Sequence, residues 1–108
     1  MAVTTEVSPD LIVRRLLEAG YPEKIVLFGG RCRDTAHERS DYDLLVIQRS
    51  QEPRFARAGR YYCALSDLPI EVDIVVVTPD EVLDWQSVPQ AFITTALREG
   101  RTLYERQA

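Results

Sequence analysis

Residues 70–77 read IEVDIVVV, a run so dense in β-branched side chains that it specifies a strand, yet Asp73 stands in its middle. An unpaired carboxylate buried there would cost several kcal/mol. Slipping the strand by one residue to expose Asp73 would turn Glu71 and Val75 outward with it. Two further short apolar runs read as strands, Lys24–Phe28 (KIVLF) and Asp43–Gln48 (DLLVIQ). The second opens on Asp41-Tyr42-Asp43, and alternation along a strand turns Asp41 and Asp43 to the same side. A chain with this pattern must build a sheet and must also find something for three carboxylates to do.

Helical signals separate the strands. Ser8-Pro9-Asp10 offers an N-cap hydroxyl, a proline at the first helical position and an acid in the first turn. Leu11, Ile12, Leu16 and Leu17 then fall near one face, and Gly20 closes the helix. Residues 52–65 carry Phe55, Ala58, Tyr62 and Leu65 at helical spacing, interrupted by Gly59. Thr78-Pro79-Asp80-Glu81 is a capping box that starts a helix to about Trp85. A last helix is expected from Pro89 to Gly100, with Phe92, Ile93, Ala96 and Leu97 facing the core. The order α-β-α-β-α-β-α-α gives an α/β (α+β) fold: a small mixed sheet of three core strands flanked by helices, with RTLYER (101–106) as a short fourth strand. Strand order does not follow from this pattern.

The 108 residues fit a single domain spanning 1–108, and 45% hydrophobic with 28% charged residues is an ordinary globular composition. A net charge of −4 gives no electrostatic footprint for nucleic acid or anionic membrane. No apolar run approaches the roughly 20 residues of a membrane span, and the N-terminus lacks the order of a signal peptide, so a cytoplasmic protein is expected. Cys32 and Cys63 are read as buried or half-buried free thiols.

Taken singly, each carboxylate has a plain explanation. Asp41 alone reads as a turn or cap residue, and Asp73 can pair with Arg31 or Arg33. Taken together, a DxD at a strand start and a third Asp on another strand form an oxygen-only donor set suited to Mg²⁺ or Mn²⁺. Gly29-Gly30 ends the first strand and can bring backbone N–H groups close to phosphate oxygens. The segment matches neither GxxxxGK[ST] nor GxGxxG. Phosphate loop plus metal-binding carboxylates is the equipment of two-metal phosphoryl or nucleotidyl transfer.

Phe28-Gly29-Gly30, the spacer 31–40, Asp41-Tyr42-Asp43-Leu44 and the later Asp73 in VDIVVVTPDEV together resemble the signature of the nucleotidyltransferase superfamily that includes DNA polymerase beta. Within it, the chain resembles the minimal nucleotidyltransferase (MNT) domains, and FITTALREGRTLYER resembles the end of the stand-alone ones. The resemblance implies that Asp41, Asp43 and Asp73 are catalytic residues holding two Mg²⁺ ions, with Asp73 helping to deprotonate an acceptor hydroxyl. Gly29 and Gly30 would bind the triphosphate, with Arg31 or Arg33 as a charge partner, and Ser40 would either contact phosphate or, as its plain reading, cap the strand start. Relatives that carry further domains grip the base and acceptor with them; this chain is expected to hold nucleotide loosely alone and to complete its cleft with a partner. MNT domains of this kind resemble the antitoxin half of HEPN–MNT toxin–antitoxin pairs, which implies transfer of AMP from ATP, or another NTP, to a tyrosine of a HEPN toxin. Homo-oligomerisation is compatible with the sequence, and direct nucleic-acid binding is not expected. Where many relatives read GSRARG, residues 29–34 read GGRCRD; the lost hydroxyl at Gly30 and the added charge at Asp34 favour an alternative, a non-catalytic module that neutralises a partner by contact. A further alternative keeps the chemistry and acts on a small molecule or RNA.

The remaining conspicuous residues receive plain readings. His37 is a solvated loop residue, Tyr61 and Tyr62 form a helix face, and Trp85 packs in the core. Arg54, Arg57 and Arg60 form a solvated basic stripe at helical spacing, with contact to an acidic partner or to phosphates as the alternative.

Overall fold

A computed structural model describes residues 7–29 and 42–107. Four helices, α1 (Pro9–Ala19), α2 (Gly59–Leu65), α3 (Pro79–Trp85) and α4 (Phe92–Glu99), flank strands β1 (Lys24–Phe28), β2 (Tyr42–Ile47), β3 (Val72–Val77) and β4 (Arg101–Glu105). The strands form one mixed sheet in the order β3-β2-β1-β4. β1 runs antiparallel to β2 and to β4, while β2 and β3 are parallel. The expected fourth strand is therefore present, laid on the outer side of β1. No described helix is long and apolar enough to cross a membrane.

Alternation divides the strand residues between two faces. On one, Ile25, Leu27, Leu44, Val46, Ile74 and Val76 are buried with Ile12 and Leu16 of α1 and Tyr61 and Leu65 of α2. On the other, Val26, Leu45, Ile47 and Val77 are buried with Ile93 and Ala96 of α4. α1 begins as its sequence indicates: the Leu11 N–H donates to Ser8 Oγ at 3.2 Å, with Pro9 in the first turn. Leu17, expected on the core face, is 38% exposed, because it lies about 100° around the helix from Leu16. Arg15 clamps α1 to the end of α2, donating to both Asp67 oxygens (2.6 and 3.1 Å) and to the Ala64 carbonyl (3.1 Å).

Several expectations are corrected between β2 and β3. Residues 52–65 are not one helix: Arg54–Ala56 form a 3-10 turn and α2 starts at Gly59, where a glycine costs less than inside a helix. Phe55 is 90% exposed as a result. The arginine stripe also dissolves. Arg57 is buried, donating to the carbonyls of Glu52 (3.0 Å) and Val76 (3.3 Å) and to Glu81 Oε1 (2.7 Å), while Arg60 pairs with Glu52. Tyr62 Oη accepts from the Ile74 N–H at 2.9 Å. Arg57 and Tyr62 thus take up polar backbone groups of β3, an edge strand. Cys63 is exposed rather than buried, and Trp85 is 47% exposed rather than in the core. β3 starts at Val72, not Ile70, and α4 starts at Phe92, not Pro89, whose carbonyl accepts instead from Arg98.

The capping box at α3 is complete: the Glu81 N–H donates to Thr78 Oγ1 (3.2 Å) and the Thr78 N–H to Glu81 Oε1 (2.8 Å). Partial burial works to raise the Glu81 carboxyl, but the Thr78 N–H and the Arg57 guanidinium outweigh it and hold the group below its ordinary 4.5. A carboxyl lowered by folding stabilises the protein above its unfolded value, and that contribution fades as pH falls through the folded value. Glu81→Gln is accordingly expected to narrow the stability difference between pH 7 and the acid range below 4.5, as read by urea midpoints across that window.

Candidate functional site

Three residues stand in one row across the sheet. Phe28, last in β1, pairs with Asp43 of β2, and Asp43 pairs in turn with Asp73 of β3. Neighbouring strands lie about 4.8 Å apart, so the two carboxylates leave adjacent backbones. Tyr42 fixes which way they point. Its N–H donates to the Glu71 carbonyl (2.9 Å) and its buried phenol to the Val7 carbonyl (3.0 Å) on the α1 side, so alternation turns Asp43 to the α4 side with Leu45 and Ile47. Asp73 follows the same alternation with Val75 and Val77.

Gly29 follows Phe28 directly and has φ +76°, the left-handed conformation that glycine adopts without strain. A Cβ at this position would run into the Asp43 carboxylate. The turn out of β1 therefore lays bare backbone against Asp43, and a side chain at this position would push that carboxylate aside. Gly29→Ala is expected to lose about 1–3 kcal/mol from backbone strain alone. It is also expected to displace the Asp43 carboxylate, and thermal melts read the loss as a downward shift.

The placement of Asp73 corrects the sequence reading on one point. Asp73 is the second residue of an edge strand and is exposed, rather than buried in mid-strand. No desolvation cost needs offsetting there; only its position beside Asp43 remains to be explained. Asp41, Gly30, Arg31 and Ser40, together with Cys32, Arg33, Asp34 and His37, lie outside the described residues, as does the helical turn expected up to Ala36. Among the described residues, no group of three metal-ligating side chains forms a cluster. Asp43 and Asp73 supply carboxylate oxygens from two adjacent strands, a donor set that fits Mg²⁺ or Mn²⁺ and not a thiol- or imidazole-seeking metal.

A neighbour that the sequence assigned to the core also belongs to this region. The Phe92 ring, 48% exposed at the start of α4, meets Phe28 edge-to-face with centroids 5.1 Å apart and planes at 79°. Its helical spacing with Ile93 and Ala96 pointed inward, but only those two are buried.

No curated protein matches the sequence. Two solved structures share the fold. One is a crystal structure of the toxin–antitoxin MntA-HpeT in a mutant form with two Asp-to-Glu changes, 21% identical with a TM-score of 0.60. The other is a toxin–antitoxin crystal structure with AMP-PNP, 23% identical with a TM-score of 0.63. Each likeness covers 94% of this chain and 76% of the other. The sequence profile described as polymerase beta, nucleotidyltransferase, matches residues 12–108. With nearly its whole length matched by that profile, the chain belongs to the polymerase beta nucleotidyltransferase family.

Proposed function

We propose that this chain is a Mg²⁺-dependent nucleotidyltransferase that moves AMP from ATP to a tyrosine hydroxyl of a partner protein, acting as antitoxin to a HEPN-type toxin. The observation that carries the chemistry is the register of Asp43 beside Asp73, with Gly29 turned against Asp43. Asp41, two residues before Asp43, completes the carboxylate set, and Gly30, Arg31 and Ser40 extend the triphosphate contact. The protein–protein setting is supported by the two toxin–antitoxin structures, one with a nucleotide analogue and one altered at two aspartates.

In this reading Asp41 and Asp43 hold the metal-bound triphosphate, and Asp73 faces the acceptor. Bound Mg²⁺ supplies charge neutralisation on the phosphates and lowers the pKa of the attacking hydroxyl. Asp73, exposed and on the same face, accepts the hydroxyl proton. The hydroxyl oxygen forms a bond to the α-phosphorus in line, the bond from that phosphorus to the bridging oxygen breaks, and pyrophosphate leaves. The Gly29 turn keeps side-chain atoms out of the space the phosphates enter.

Incubation with α-labelled ATP, Mg²⁺ and host lysate tests the reading, with Asp43→Asn alongside. Label on a protein band, lost in the variant, supports protein nucleotidylation and identifies the target. Label on RNA or a small molecule keeps the chemistry and changes the acceptor. Absence of label, with one partner captured equally by both proteins, favours neutralisation by contact.

A further inference from the structure

The Phe28–Asp43–Asp73 row continues beyond its carboxylates into an aromatic. Phe28 is register partner to Asp43, on the same face of the sheet, and Phe92 leans on Phe28 with its ring half exposed. The helix that presents Phe92 is pinned: Ile93 and Ala96 are 5% and 4% exposed against β1 and β2 residues, so the ring does not swing freely with its backbone. Phe28 holds one side of it with an edge-to-face contact at 5.1 Å, which leaves the rest of the ring for another flat group. Directly opposed strand residues sit about 5.5 Å apart. Phe92 therefore stands one ring contact beyond the register partner of Asp43, on the α4 side of the sheet to which Asp43 also turns.

We infer that Phe92 is the surface on which the nucleobase stacks when the triphosphate lies at Asp43 and Asp73. This rests on the nucleotide site proposed above and assigns the base contact to this chain's own α4. Stacking on an aromatic ring recognises the flat face of any base rather than its hydrogen-bonding edge. Phe92 therefore adds affinity for base-bearing ligands and does not by itself select adenine.

The test compares two probes, AMP-PNP and inorganic tripolyphosphate, each with Mg²⁺, on wild type, Phe92→Leu and Phe92→Trp, by calorimetry. Leucine preserves apolar contact with Phe28 but removes the flat ring; tryptophan keeps a larger one. Phe92→Leu is expected to weaken AMP-PNP binding about tenfold, with the tripolyphosphate affinity unchanged, and Phe92→Trp to restore it. A guanine analogue is expected to lose a similar factor. Equal weakening of both probes, or of neither, overturns the stacking role while leaving the phosphate site in place. Wild-type binding of neither probe overturns the nucleotide site itself, and the inference with it.

Discussion

Asp43→Asn is expected to reduce nucleotidyl transfer at least about 100-fold while leaving the metal-free protein folded. The change is nearly isosteric, so the close fit of the side chain against Gly29 is retained. It also removes one of two carboxylates that leave adjacent strands, and with it the like-charge neighbour of Asp73. The response to metal is what disappears. With Mg²⁺–AMP-PNP at a hundredfold excess over its Kd, wild type is expected to gain about 2.7 kcal/mol, a rise on the order of 10 °C. Asp43→Asn is expected to show almost none of it. A variant that unfolds without metal would instead make Asp43 a structural residue and remove the basis of the site.

The largest effect on stability is expected at Tyr61. Its ring is fully buried between α1 and the sheet, its phenol donates to Gln48 Oε1, and burial pushes its pKa up. Tyr61→Ala removes an aromatic ring from a core that cannot fully close behind it, and about 3–5 kcal/mol should be lost. Tyr61→Phe keeps the ring and strands the buried Gln48 acceptor, for about 1–3 kcal/mol. Urea unfolding of the two variants separates packing from the hydrogen bond. A Phe variant as damaged as the Ala variant would place most of the energy in the polar pair.

The elements most legible in the sequence were those whose determinants are local. Ser8-Pro9 and Thr78-Pro79-Asp80-Glu81 carry their caps within four residues, and both helices begin where those residues indicate. The apolar run after Tyr42 was legible as a strand, and β2 spans Tyr42–Ile47, while Asp41 lies outside the described residues. Arg57 was not legible: beside the nearby Glu52 carbonyl, two of its acceptors, Val76 O and Glu81 Oε1, lie 19 and 24 residues away, so the 52–65 pattern does not mark it as the arginine that turns inward. The exposure of Asp73 was hidden likewise. A β-branched run reads as buried, and only the strand order reveals that β3 is an edge with Asp73 on its exposed side. For Phe92, periodicity gave the correct helix but the wrong exposure, because the ring lies at the first residue, where the sheet below ends.

The pairing of β4 with β1 has a consequence for how the protein is made. Arg106 and Glu23, joined at the far end of that pair, are 83 residues apart in sequence. During synthesis β1 appears early, finds β2 next, and must then wait with its other side uncovered until residues 101–105 follow. Throughout that interval a strand of the sequence KIVLF, central in the finished sheet, is an apolar edge open to any neighbouring chain. The nascent protein is therefore most prone to mispairing not at its carboxylate site but on the opposite side of β1, and a chaperone or a partner made alongside it would protect it most by covering that edge.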